Sequence, residues 1–206
     1  MKIVYIKSMI NGLIKSFRLT IAFCLLLGIG YVLVLWTFSR IASPNSGKAE
    51  VVYSKAEHKD QSHKIAGAAN IGQEFHSNKY FWGRPSNAGS GYDASSSAGS
   101  NAGPSNIEYL KKVEQRREKF LKAHPYIKHN DVPAEMVTAS GSGLDPDISL
   151  QSAYLQIRRV AMARGMSEKS VKQIVDKCVQ HPLLGIFGPE KINVLKLNIM
   201  LDNKEL

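Results

Sequence analysis

Residues 19–39, LTIAFCLLLGIGYVLVLWTFS, run for 21 positions without a charge and decide the architecture. Ile, Leu, Val, Phe and Ala dominate the run. Its length matches the ~20 residues that cross a bilayer at a rise of ~1.5 Å each, which predicts a transmembrane helix. Gly28 and Gly30 are tolerated in such a helix and let a neighbouring helix approach, although Gly-x-Gly is not the Gly-x-x-x-Gly pairing pattern. Trp36 sits where an interfacial anchor belongs. The rival reading is a cleaved signal peptide, whose apolar core runs ~7–15 residues and ends at a small-x-small site. Here the core is longer, and the candidate site, Thr37-Phe38-Ser39, lies within the span. The chain reads as single-pass, with a retained anchor.

Charge orients it. Lys2, Lys7, Lys15 and Arg18 precede the span, and only Arg40 follows it closely. The positive-inside rule places residues 1–18 in the cytoplasm and the C-terminal part on the outer side of the inner (plasma) membrane. Of the +10 carried by 206 residues, five charges belong to residues 1–41, which hold no acid; 22 basic and 17 acidic side chains leave the outer part at +5. Half of the basic excess is therefore topological. With neither a binding motif nor cytoplasmic access, the outer part is expected to have no nucleic-acid partner. Cys24 lies in the span and Cys178 in a later helical pattern, so no disulfide framework is expected.

Past the span, residues 40–62 are polar, with Pro44 and Gly47, and read as a stalk. Residues 63–206 then form a single extracytoplasmic α+β domain. Residues 65–75 are its first strand candidate. Tyr80, Phe81 and Trp82 set three rings beside Arg84, before Gly83 and Pro85 stop any regular element. Residues 87–106, with five Gly or Pro among Ser, Ala and Asn, form a loop of a length that is usually functional or disordered. Residues 107–122 predict a helix capped by Ser105 or Asn106. Ile107, Leu110, Val113, Phe120 and Leu121 lie on its apolar side, and Glu108, Glu114 and Glu118 interleave with Lys and Arg on a solvated face.

Residues 137–149, VTASGSGLDPDIS, are small, polar and free of charge runs. Gly141 and Gly143 permit unusual backbone angles, Ser140 and Ser142 can bond their own backbone, and Asp145-Pro146 fixes a turn. Ser149 then caps a helix over 149–164, with Leu150, Ala153, Tyr154, Ile157, Val160 and Ala161 at helical spacing and Gly165 as terminator. A second helix follows, capped by Ser167, striped by Val171, Ile174, Val175, Cys178 and Val179, and stopped at His181-Pro182. In 192–201, Leu195, Leu197, Ile199 and Leu201 alternate with more polar positions, the period of a half-buried strand.

Chemistry on these residues is weakly marked. Ser140 and Ser142 lack the glycines of a Gly-x-Ser-x-Gly nucleophile elbow, and no phosphate-binding Gly-x-x-x-x-Gly-Lys-Ser/Thr loop occurs. The histidines, at 58, 63, 76, 124, 129 and 181, show no His-x-x-x-His pair, and Asp145 and Asp147 lack the Asp-x-Asp-x-Asp-Gly pattern of a hard-cation loop, so a turn aspartate and a helix cap explain them better. No catalytic residue, metal ligand or resident cofactor is expected. Arg84 among the rings has two readings: an aromatic-stacked interface anchor, or a snorkelling cover over a core corner.

Taken together, the span, Gly72-Gln73, Tyr80-Phe81-x-Gly83-Arg84-Pro85-Ser86, Gly99-Ser100-Asn101, Thr138 to Asp145 with Ser140 and Ser142, and Asn193-Val-Leu-x-Leu-Asn198-x-x-Leu-Asp202 resemble the C subunit of the bacterial Kdp-type, ATP-driven potassium transporter. The likeness runs in order to the C-terminus. It departs at Ala98, where the family usually has a second glycine, and at Ile192, where valine is commoner. The resemblance implies an accessory chain. Its partners would be a channel-like subunit carrying potassium, a P-type ATPase subunit holding ATP and the phosphorylated aspartate, a small single-span subunit, and the lipid bilayer. Potassium and ATP would belong to the complex. The family is described as an assembly factor or as a chaperone raising nucleotide affinity; the outward placement of most of the chain favours the first. The alternatives are a membrane-anchored ligand-binding module and, third, an anchored enzyme.

Overall fold

The computed structural model describes residues 2–54 and 64–203, so residues 55–62 of the expected stalk, with His58 and the neighbouring His63, lie outside it. The apolar run folds into a helical rod: α1 (Lys2–Leu25), a π-helical turn (Leu26–Tyr31) containing Gly28 and Gly30, and α2 (Val32–Ala42). The 38 residues Tyr5–Ala42 are long and apolar enough to cross a membrane. At ~1.5 Å per residue the rod exceeds the ~30 Å of bilayer hydrocarbon, so residues 19–39 are a part of it. The Arg40 guanidinium lies over the Trp36 ring, 5.5 Å from its centroid.

A separate compact unit begins at Glu50. Within the segment read as a stalk, β1 (Val51–Ser54) pairs antiparallel with β2 (Lys64–Ala68), Val51 opposite Ala68. The strand expected over 65–75 stops at Ala68, because the chain turns to meet other partners. Ala69 N–H donates to Glu50 O at 2.8 Å and Gly72 N–H to Leu144 O at 2.7 Å. Only glycine fits there: a Cβ on Gly72 would stand 2.7 Å from Asp145 O.

The core is built from α3 (Ile107–Ala123), α4 (Leu150–Arg164), α5 (Glu168–Lys177) and α6 (Val194–Asp202) around an antiparallel sheet ordered β3 (Asp147–Ile148), β5 (Lys191–Asn193), β4 (Val179–Gln180). The fold is α+β, as expected. Ser149 and Ser167 cap α4 and α5 by accepting from Ser152 N–H and Ser170 N–H, and Gly165 ends α4 at φ 64. Glu135 strengthens the first cap, accepting Ser149 N–H at 3.1 Å and Ser149 Oγ–H at 2.6 Å, which sets a carboxylate against the positive end of the helix dipole. Ala153, Ile157, Val160, Val171, Ile174 and Val175 are buried between the two helices and the sheet.

Four readings need correction. The second helix, expected to run to His181-Pro182, ends at Lys177, and Val179, expected on its stripe, begins β4. The strand expected over 192–201 is one only as far as Asn193; its side chain caps α6 by accepting from Lys196 N–H. Val194, Leu197, Asn198 and Leu201 are buried, a spacing of three and four that the coincident alternation of leucines concealed. On α3, Ile107 and Leu110 are exposed and only Phe120 is buried, while Arg116 turns inward to Val137 O and Asn87 Oδ1, both at 3.2 Å. Asp147 is not a helix cap: it stands in β3 and binds Lys191 Nζ at 2.6 Å.

Candidate functional site

The 80–86 stretch has neither helix nor strand, so its backbone groups need other partners once buried. Side-chain amides supply them. Asn198 Oδ1 accepts Phe81 N–H at 2.8 Å and its Nδ2 donates to Phe81 O at 3.0 Å; Gln156 Oε1 accepts Trp82 N–H at 2.8 Å and its Nε2 donates to Trp82 O at 3.1 Å. Each amide turns one N–H donor and its carbonyl acceptor to the backbone of a single residue and so imitates a strand neighbour. Phe81, Asn198 and Gln156 are all buried. α4 and α6 thus read the same extended segment from two sides.

At the ends of the segment the polar side chains pair. Tyr80 Oη donates to Asp202 Oδ2 at 3.2 Å, and Asp202 Oδ1 accepts from Arg164 at 2.7 Å, with the Arg164 guanidinium 4.9 Å from the Tyr80 ring centroid. Partial burial, then the Asp202 charge, raises the Tyr80 pKa. Arg84 does not stack on its neighbouring rings; it pairs with Asp145 at 3.0 Å, tying this segment to the Ser/Gly loop. Asp145 Oδ1 also accepts Asp147 N–H, closing the turn that precedes β3. Ser86 Oγ accepts Tyr92 N–H at 2.7 Å and Ala88 N–H at 3.1 Å, and Tyr92 Oη donates to Arg84 O. Burial pushes the Tyr92 phenol up to about 12. A Cβ on Gly83 would sit 3.2 Å from that phenol.

The remaining marked residues hold loops together. Ser142 Oγ accepts Leu144 N–H at 3.1 Å and lies 3.4 Å from Ser140 Oγ, while Ser142 O accepts from Ser97 at 2.9 Å. Gly143 at φ 67 leaves its missing Cβ 2.5 Å from Ala98 O, and Gly99 packs similarly on Gly141 O, so the 87–106 loop lies directly on the Ser/Gly loop. Ser100 is half-buried, and Asn101, which follows it, is exposed at φ 49. Thr138 Oγ1 donates to Ala134 O at 2.7 Å, Asn193 Nδ2 to Ala69 O at 2.7 Å, and Gln73 fills the space over Gly67. Among the described residues no group of three His, Cys, Asp or Glu gathers as a metal site.

Sequence reasoning missed the centre of this arrangement. Arg159, 5% exposed, lies 4.2 Å from the Trp82 ring centroid. It donates to His124 Nε2 at 2.8 Å, Asn78 O at 2.8 Å and Gln156 Oε1 at 2.7 Å. All three acceptors are neutral. Burial lowers the Arg159 pKa to about 10, which leaves it charged at neutral pH. His124 Nδ1–H donates to Phe120 O at 2.7 Å, so Nε2 is the acceptor and the ring is neutral; burial, reinforced by the Arg159 charge, lowers its pKa to about 4. The available signal was positional: Gln156 lies three residues after Ala153, on the apolar stripe of α4, where a polar side chain needs an inward partner.

A cavity of about 270 Å³ opens between this segment and α3, lined in part by Trp82, Arg84, Tyr92, Arg116 and Phe120, with Pro85 on its wall. Arg84 Nε is buried without a hydrogen-bond partner among the described residues.

Residues 13–203 match the family model described as KdpC, K+-transporting ATPase, c chain. The chain is 60% identical over 192 residues to the potassium-transporting ATPase KdpC subunit of Phocaeicola vulgatus, covering 93% of this chain and 98% of that one. It is 60% identical over 190 residues to the Bacteroides fragilis protein of the same name, covering 92% and 96%, and 42% identical over 192 residues to that of Flavobacterium johnsoniae, covering 93% and 98%. A membrane-capable helix, an α+β domain and a likeness that spans nearly the whole of both partners make this chain a member of the KdpC family of potassium-transporting ATPase subunits.

Proposed function

We propose that this chain is a non-catalytic accessory subunit that assembles and stabilises a high-affinity, ATP-driven potassium uptake complex. Residues 1–18 lie in the cytoplasm, 19–39 cross the membrane against the channel-like subunit, a short segment of the expected 40–62 stalk links the span to the unit that begins at Glu50, and the domain, expected over 63–206, covers the outer mouth of that subunit's ion path. ATP hydrolysis belongs to the P-type ATPase subunit, and a small single-span subunit completes the assembly. The observation that carries this reading is the mutual use of the marked residues. Tyr80 meets Asp202, Phe81 meets Asn198 and Arg84 meets Asp145, so their polar atoms shape a surface and hold it rather than act on a substrate. The net +5 of the outer part argues against a simple cation-concentrating funnel, although surface fields fade over ~8 Å at physiological salt.

The test is co-purification from membranes under mild detergent. Recovery of the tagged chain with a polytopic channel-like subunit and an ATPase is expected; recovery alone contradicts assembly. Stoichiometric ATP binding by the purified chain at cellular concentrations would favour the nucleotide-affinity role instead.

A second reading, an anchored ligand-binding module, draws on the cavity beside Arg84 and Arg116 and on the unpartnered Arg84 Nε. A small molecule retained stoichiometrically by the purified chain, and lost in Arg116→Ala, would favour it.

A further inference from the structure

Between β4 and β5 the chain leaves the domain as a knuckle. Leu183, Leu184, Ile186 and Phe187 are 70, 81, 75 and 60% exposed, a concentration of large apolar side chains interrupted only by Gly185. Contiguous exposed apolar surface of this kind marks a contact with protein or membrane. The knuckle is also a built shape. Leu183 N–H donates to Phe187 O at 3.1 Å, Phe187 N–H to Leu183 O at 3.0 Å, and Gly185 N–H to Pro182 O at 2.9 Å. The N–H groups of Leu183, Gly185, Ile186 and Phe187 thus find partners within the turn, which gives it a defined shape of its own. Gly185 and Gly188 take φ 76 and 90, and Leu184 itself stands at φ 54, a conformation unfavourable for a residue with a Cβ. At the base, His181 pairs with Glu190 at 2.9 Å and Lys191 with Asp147 at 2.6 Å.

We infer that the 182–188 knuckle plugs into an apolar, uncharged pocket on another subunit of the transporter. The inference rests on the assembly reading above and names its contact surface. Three observations select a protein pocket over the bilayer. A fluid bilayer has no shape to reward a left-handed leucine, whereas a pocket does. The collar holds a Lys191–Asp147 ion pair and a His181–Glu190 hydrogen bond, with the lysine neutralised by its partner instead of offered to anionic headgroups. The tip also carries neither Trp nor Tyr, the residues that settle at a membrane interface.

The experiment uses the full chain co-expressed with the other transporter subunits in membranes. It combines a photoreactive phenylalanine analogue in place of Leu184 with the double variant Leu184→Asp/Phe187→Asp. A crosslink to another subunit, together with at least ten-fold lower recovery of the double variant in the complex at unchanged protease resistance, is the expected result. A crosslink to lipid or to a second copy of this chain overturns the inference, and so does full recovery of the double variant. Should the aspartates weaken the fold, the crosslink and the milder Leu184→Ala/Phe187→Ala decide by the same outcomes. Loss of the knuckle variant's recovery effect while the wild-type chain is still recovered removes the knuckle alone. Failure of the wild-type chain to be recovered with any subunit removes the assembly reading and the inference with it.

Discussion

The 80–86 segment and the 182–188 knuckle are both irregular stretches punctuated by Gly and Pro and rich in large apolar side chains, yet they solve the backbone problem in opposite ways. In the first, Phe81 is fully buried and Asn198 and Gln156 serve its peptide groups from two helices. In the second, four N–H groups bond to carbonyls of the same turn and the apolar side chains are exposed. The difference separates two jobs. A segment whose hydrogen bonds come from distant elements ties the domain together, while one that closes on itself contributes little to folding and is free to meet something else.

Substitutions should divide along that line. Asn198→Ala leaves a buried N–H and a buried C=O of Phe81 without partners and should destabilise the domain by about 4 kcal/mol, read from the urea midpoint of the full chain in nanodiscs. The Arg159 cluster gives the next largest effect, as a pH dependence. His124 is neutral in the fold with a pKa of about 4, against an ordinary 6.5. Between those values the unfolded chain holds a proton that the folded one refuses, so stability falls as pH drops from 6.5 towards 4. The loss should reach about 2–3 kcal/mol once partial screening is allowed for, and His124→Gln should flatten it in the same urea titration. Arg84→Ala and Asp145→Ala, combined in a double-mutant cycle, should couple by about 1 kcal/mol, because the pair is only partly buried. Smallest in stability is the knuckle. Leu184→Gly relieves a left-handed leucine and should raise stability by up to about 1 kcal/mol while weakening recovery in the complex. A large loss of stability from that change would erase the contrast between the two segments.

Much of the domain was legible because its signals are local. The uncharged run, the caps at Ser149 and Ser167 and the terminator at Gly165 each act within a turn of their own position. What stayed hidden depends on partners far along the chain. Leu195, Leu197, Ile199 and Leu201 satisfy a strand pattern and a helix at once, and only the packing of Asn198 on Phe81, 117 positions away, settles the matter. The marked residues were singled out as blocks along the chain, but their pairings, such as Tyr80 with Asp202 and Arg84 with Asp145, are not deducible from spacing. Arg159 and His124 carried no motif: a lone buried cation served by neutral acceptors looks in sequence like any helix-face arginine.

The most direct test of the role proposed for the folded domain is to replace the chain with its first 40 residues and follow potassium-stimulated ATP hydrolysis of the purified complex over time at a fixed temperature. The span alone should insert into the membrane but yield a complex that loses subunits and activity at least ten-fold faster than one holding the whole chain. A span-only complex as active and as long-lived as the intact one would contradict the assembling and covering role proposed for the folded domain.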